Sequence, residues 1–302
     1  MKSPNKNKWY YGSEALTNEQ HHKELPGFSS SSLKTILSDS AHHFYKKYIL
    51  KINMGDDEYN EAFETGTIVH EAILEPEKYA VNAVFVQKGQ KTIKRSDIKE
   101  ESEPIEGEPV KKKRVTKTPT QPIVILEENQ YAVNPKLKYV IETAQENIKK
   151  NELLRTLLRD GVAEISGSAH HNGIDYKIRP DCRSGEYIID VKTTSTLKPF
   201  AIMSSIISYY YMLQAVFYLK IAKLIDKNKA PTKFIWLFVN KNNGEILSVE
   251  LTEEMYKAGE IQLGLATEKL RHGLATNEWL TKDGASGSVK LTLPHWYNPY
   301  DV

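Results

Sequence analysis

The sequence predicts a mixed α/β fold in which a central β-sheet is flanked by helices. Three observations carry this. Apolar strand-like runs occur at 186–192 and 233–240, helically spaced apolar residues occur at 61–75, 136–159 and 253–271, and the two kinds alternate along the chain. With 302 residues, 40% hydrophobic and 26% charged, the chain can form one large domain or two small ones. Residues 1–25 read as a polar N-terminal segment and 26–302 as a single domain.

Ser29-Ser30-Ser31-Ser32 precedes Leu33, Ile36 and Leu37 and then Ala41-His42-His43-Phe44-Tyr45-Lys46-Lys47-Tyr48, a serine N-cap leading into helix. Its aromatic and basic second half either contacts a nucleic-acid backbone or covers the edge of a core. Residues 61–75 form a second helix, stopped by Pro76, with Phe63, Thr67, His70, Ile73 and Leu74 on roughly one side. A histidine on such a face is either a buried structural residue or a ligand. Gly66, one turn before His70, permits close approach of another backbone or a phosphate. From about 88 to 120 the composition changes abruptly, with Lys94-Arg95, Glu100-Glu101 and Lys111-Lys112-Lys113-Arg114 among prolines and glycines, which predicts a charged, flexible insertion.

Helical periodicity returns over 136–159 and leads into a strand at 162–169 containing Glu164. Residues 174–181 and 186–192 read as a hairpin turned at Ser184-Gly185. A long helix follows from Pro199 to Ile225, on which Gln214 and Tyr218 lie one turn apart. A strand at 233–240, a further run at 244–251 and an amphipathic helix at 253–271 complete the domain.

Composition narrows the function. A net charge of +2 gives no global field, so affinity for nucleic acid has to come from local clusters. The single Cys182 excludes an internal disulfide and any thiolate-built zinc or iron–sulfur site. No apolar run approaches the roughly 18 residues of a membrane span, and the N-terminus lacks the apolar core of a signal peptide, so a cytoplasmic location is expected. No Gly-x-x-x-x-Gly-Lys-Ser/Thr occurs, so the chain carries no phosphate-binding loop for ATP.

The chemistry concentrates in Arg179-Pro180-Asp181 and Asp190-Val191-Lys192-Thr193-Thr194. Alternate side chains of a strand share a face, so Asp190 and Lys192 point one way while Val191 points into the core. The hairpin would bring Asp181 beside Asp190. Two adjacent carboxylates repel unless a cation lies between them, and such oxygen ligands suit Mg²⁺, with Mn²⁺ as a substitute. Lys192 would orient or help deprotonate an attacking water. Glu164 is either a third carboxylate of the site or a strand-edge charge.

In order, Gly66-Thr67-x-x-His70, Arg179-Pro180-Asp181, Asp190-x-Lys192-Thr193-Thr194 and Gln214-x-x-x-Tyr218 resemble the RecB-type branch of the PD-(D/E)XK nuclease superfamily, especially phage and prophage exonucleases of the RecE (exonuclease VIII) type. The resemblance covers about 26–80 and 135–260 and implies a restriction-endonuclease-like core. It implies His70, Asp181, Asp190 and the Val191 carbonyl at the metal site, with Glu164 as an occasional further acid. It implies Lys192 as the catalytic lysine, and Gln214 and Tyr218 supporting the site and contacting substrate along with Thr193 and Gly66. The activity implied is Mg²⁺-dependent exonuclease action on double-stranded DNA, yielding single strands for phage-type recombination in a bacterial or phage-infected cytosol. A ring-like homo-oligomer and a single-strand-annealing recombinase partner are also implied. The alternatives are a non-cleaving DNA-binding or assembly module on the same fold, or an endonuclease of the superfamily.

Overall fold

The computed structural model describes residues 7–52, 61–97 and 123–279, and of 61–63 the backbone alone. The chain opens with β1 (Lys8–Trp9), α1 (Asn18–Lys23), α2 (Ser30–Ser38) and α3 (Ala41–Phe44). Ser29 accepts from the backbone N–H of Ser32, so the expected serine cap starts α2. The helix does not run on to Tyr48. Ser40 takes an extended backbone and caps α3 afresh, and a π-turn at Tyr45–Ile49 follows. Phe44 is fully buried against Phe28, Tyr48 and Trp279, so this aromatic stretch covers a core edge.

Helix α4 (Glu61–Leu74) buries Ile68, Val69, Ala72 and Ile73. Thr67 and His70 lie outside that face, which corrects the expected placement of His70 on the apolar stripe. The side chain of Phe63 lies outside the described residues. Pro76 does not merely stop α4 but occupies the first position of α5 (Pro76–Asn82), where its missing N–H costs nothing. Of the expected insertion, residues 88–97 are described and contain a strand. Strands β2 (Ala83–Phe85) and β3 (Thr92–Lys94) pair with β5 (Tyr131–Val133) and β4 (Val124–Leu126) respectively. Residues 98–122, including Lys111–Arg114, lie outside the described residues.

The expected helix over 136–159 is two, α6 (Pro135–Lys150) and α7 (Glu152–Asp160). Asn151 takes an extended backbone, and its side chain accepts from the N–H of Leu154, so it ends one helix and caps the next. The expected strand 162–169 also divides. Glu164 adopts a left-handed φ of 51° between β6 (Val162–Ala163) and β7 (Gly167–His171), and the two belong to different sheets. Strand β8 (Ile174–Ile178) pairs with β7 rather than with 186–192, and the hairpin at Ser184-Gly185 joins β9 (Cys182–Ser184) to β10 (Tyr187–Thr194). The pairing ends at Cys182 and Ile189, so Asp181, just before β9, lies beside β10 and accepts from the N–H of Val191 rather than meeting Asp190 across a hairpin.

The expected long helix breaks into α8 (Pro199–Ser208) and α9 (Tyr211–Ile225), bent by 64° where Tyr210 takes a left-handed φ of 52°. Then come β11 (Lys233–Asn240), β12 (Ile246–Glu250) and α10 (Glu253–Thr276). The main sheet has the order β12-β11-β10-β9-β6, with β10 and β11 parallel and the other pairs antiparallel. That single parallel pair requires a crossover, which α8 and α9 supply. Both faces of the sheet are covered. Ile188, Phe234, Trp236 and Phe238 pack under α9, α2 and α10, while Ile189, Val191, Ile235, Leu237 and Val239 pack under α4, α6 and α7. Among the described residues no single helix is long and apolar enough to cross a membrane.

Candidate active site

Strand β10 loses its β9 partner after Ile189, so its edge is open from Asp190 onward. Val191 turns its N–H to this open edge, where the Asp181 carboxylate accepts from it at 2.6 Å. The Val191 carbonyl accepts from the ring of His70, which α4 brings in from the layer on that side of the sheet. His70 Nδ1 lies 3.5 Å from Asp181 Oδ2. Glu164 arrives from the irregular link between β6 and β7, its N–H bonded to the Asp181 carbonyl at 3.0 Å. One ligand atom from each of His70, Glu164 and Asp181 lies within 4.8 Å of the other two. The left-handed backbone of Glu164, unfavourable for a residue with a Cβ, is held at this convergence.

Asp190 lies on the opposite face of β10, completely buried. Its Oδ1 accepts from Gln214 Nε2 at 2.7 Å, and its Oδ2 pairs with Lys192 Nζ at 2.7 Å. The structure thus places Asp190 beside the triad, with both oxygens directed at Gln214 and Lys192. Tyr218, one turn further along α9, donates to the carbonyl of Arg179 at 3.3 Å and fixes the segment that carries Asp181. Thr193 and Gly66 touch across the α4–β10 contact. A Cβ on Gly66 would meet Thr193 Oγ1 at 3.4 Å, ordinary packing, so the protein itself does not demand glycine there. All of these except the buried Asp190 and Gln214 line one cleft of about 670 Å³.

The electrostatics of the cleft are set by burial and by the crowding of like charges. Burial, then the charge of Asp190, pushes the Asp181 carboxyl up to about 7, against the pull of Lys192, the Val191 N–H and Arg179. Burial and the Asp181 charge also raise Glu164, despite its 2.6 Å contact with Arg179 Nε. Burial and Lys192 lower His70, favouring the neutral imidazole that a metal requires. Burial alone would lower Lys192, but Asp190 and Asp181 overcome it and keep the ammonium charged. An imidazole nitrogen and two carboxylates, whose ionisation is opposed by burial and by neighbouring negative charge, form a donor set that fits a hard divalent cation. Cys182 is no candidate ligand, since burial pushes its thiol up to about 12.

Sequence reasoning missed three contributors. Arg179 holds Glu164, and its Nη1 is buried with no hydrogen-bond partner in the protein. Tyr211 carries the ammonium groups of Lys34 and Lys192 each 5.0 Å from its ring centre. Lys34 donates to Gln214 Oε1 at 2.5 Å. Arg179 stood next to the Pro-Asp motif and could have been weighed with it. Lys34 closed the Phe28–Lys34 stretch at the start of the first long helix without being assigned to the site, and no local pattern marks Tyr211.

Comparison with known proteins agrees with this architecture. A solved structure described as "Putative exonuclease" from Eubacterium rectale superposes with a TM-score of 0.56 at 14% identity, covering 92% of this chain and 96% of that one, which is a likeness of fold. A second, SSO0001, has a TM-score of 0.23 at 18% identity, covers 41% of this chain and 59% of its own, and carries no argument. No curated protein matches in sequence. The family described as "PDDEXK-like domain of unknown function (DUF3799)" matches residues 29–290, which contain His70, Glu164, Pro180-Asp181, Asp190-x-Lys192, Gln214 and Tyr218. The chain belongs to this PDDEXK-like family.

Proposed function

We propose that the protein is a divalent-metal-dependent deoxyribonuclease that hydrolyses phosphodiester bonds, acting as an exonuclease on double-stranded DNA ends and leaving single-stranded DNA. The observation that carries this reading is the convergence of His70, Glu164 and Asp181 within 4.8 Å, beside the ion-paired Lys192. Family membership and the name of the Eubacterium rectale neighbour support nuclease and exonuclease respectively. A cation such as Mg²⁺ or Mn²⁺, held by His70, Glu164, Asp181 and the Val191 carbonyl with Asp190 as the neighbouring carboxylate, would supply charge neutralisation at the scissile phosphate and a water acidic enough to ionise near neutral pH.

The remaining work falls to side chains. The Lys192 ammonium, held by Asp190, is placed to orient the attacking water and to offset charge developing on the phosphate oxygens. Arg179 keeps Glu164 in the cleft through its Nε. Tyr218 fixes the backbone before Asp181, and Gln214 fixes the Asp190 carboxylate. The RecE-like resemblance extends the reading to a role in recombination, with a ring-like homo-oligomer and a single-strand-annealing partner. The test is incubation of linear and covalently closed circular duplex with Mg²⁺, using wild-type protein and Asp181→Asn. Loss of linear DNA alone, abolished by the substitution, is expected. Nicking of the circle would indicate an endonuclease, and binding without cleavage across several divalent ions would leave a DNA-binding module.

A further inference from the structure

An ammonium group only donates hydrogen bonds, whereas a glutamine side chain presents an acceptor on one end and a donor on the other. Lys34, the fifth residue after the Ser29 cap of α2, reaches across to α9 and directs Nζ at Gln214 Oε1, 2.5 Å away. With its oxygen so engaged, Gln214 turns Nε2 to Asp190 Oδ1 at 2.7 Å, and Asp190 turns Oδ2 to Lys192 at 2.7 Å. Rotated by half a turn, the same amide would set its NH₂ against an ammonium and its oxygen against a carboxylate, and both contacts would be repulsive. The chain Lys34–Gln214–Asp190–Lys192 therefore has one favourable orientation, and Lys34 selects it.

We propose that Lys34 is a positioning residue of this site, which sets the Gln214 amide and through it the Asp190 carboxylate that holds Lys192. This rests on the hydrolytic reading given above. Lys34 is well suited to such a role, because it is half-buried and its ammonium already lies against the Tyr211 ring, leaving it little freedom to reach solvent or substrate. Burial and the nearby Lys192 push its pKa down to about 7, with Asp190 opposing, so the selection of the amide orientation is strongest below that pH, where the group is an ammonium. Gln214 is buried as well, so an amide that lost its Lys34 partner would find no water to replace it.

The test combines Lys34→Met, which keeps the length and apolar stem but removes the donor, with Gln214→Leu and the double variant. Under steady-state cleavage of linear duplex with Mg²⁺, Lys34→Met is expected to lower kcat about 10–100-fold with KM for DNA and the salt dependence of binding unchanged. In the Gln214→Leu background the same substitution is expected to add less than about twofold, because both act through one chain. A raised KM with a shallower salt dependence would make Lys34 a phosphate contact and overturn the proposal. So would an effect that multiplies fully with Gln214→Leu, or an unchanged kcat. A second readout does not need activity. In ¹⁵N-labelled protein the Gln214 side-chain NH₂ pair, assigned by its loss in Gln214→Leu, is expected to shift on Lys34→Met, and no shift would overturn the orienting role. If wild-type protein cleaves nothing while this shift is seen, the hydrolytic reading has failed and the orienting contact stands.

Discussion

Replacing Asp181 by asparagine should stabilise the protein when no divalent ion is present, and only at pH values where the carboxyl would be charged. Asp181 is 15% exposed, and burial with the Asp190 charge raises its pKa from 3.8 to about 7 in the folded state. Between these values the folded protein binds the extra proton, so the contribution of this group to stability falls as pH rises from about 4 to about 7 and stays low above that. At roughly 1.4 kcal/mol per unit, the folded state loses on the order of 4 kcal/mol by pH 8 and on the order of 1–2 kcal/mol at pH 5. Asparagine carries no charge at any pH and can still accept the Val191 N–H that Asp181 holds at 2.6 Å. Taking ~2 °C per kcal/mol for a chain of this size, thermal melts in EDTA should show Asp181→Asn about 5–8 °C above wild type at pH 8 and about 2–3 °C above at pH 5. Comparing the two proteins at each pH cancels groups such as His21, which burial holds down near 3 and which destabilises in the opposite direction on acidification. Excess Mg²⁺ should raise the melting temperature of wild type and leave the variant where it was. A variant that melts at or below wild type in EDTA at pH 8, or an advantage independent of pH, would refute the claim that this carboxylate is held ready for a cation.

Three further outcomes follow from the same geometry. Glu164→Gln keeps the shape but removes one anionic donor from the triad, so calorimetry should find Mn²⁺ binding weakened about 10–100-fold, and unchanged affinity would remove Glu164 from the site. Lys177 Nζ donates to the carbonyls of His21, His22 and Leu25 at 2.8, 3.1 and 2.9 Å, fastening the segment around α1 to β8 along one wall of the cleft. Lys177→Met should therefore cost about 1–3 kcal/mol by urea denaturation and speed proteolysis between residues 10 and 25, and a wild-type midpoint would contradict it. Gly244 has a φ of 75°, and an added Cβ would collide with the Val140 carbonyl, so Gly244→Ala should lower stability by about 2–4 kcal/mol without changing metal affinity per folded molecule.

Much of the layered fold was legible because its core strands obey one period. In β10 and β11 odd and even residues go to opposite layers, and the helices that cover them show the 3.6-residue spacing of apolar positions. The points of failure share a cause. Glu164 and Tyr210 take left-handed backbone conformations without the glycine that would announce them, and Asn151 ends a helix through its side chain in the middle of an apolar pattern. The pairing of β8 with β7 rather than with 186–192 was equally hidden, since period-2 alternation identifies a strand and not its partner. Asp181, Asp190 and Lys192 sat in two short motifs, and the structure sets Asp181 against the N–H of Val191 and pairs Asp190 with Lys192. Lys34 and Gln214 meet across 180 positions and Arg179 and Glu164 across 15, and nothing in either local sequence declares those pairs.

The most direct test of the central claim, that this cleft hydrolyses DNA, is to compare cleavage and binding of linear duplex by wild type and Lys192→Met in Mg²⁺. The substitution removes the ammonium that pairs with Asp190 at 2.7 Å and leaves His70, Glu164 and Asp181 in place. The account predicts that Mn²⁺ and DNA still bind while the single-turnover cleavage rate falls at least about 100-fold. Cleavage by the variant at the wild-type rate would show that the hydrolytic centre lies elsewhere or that Lys192 has no part in it.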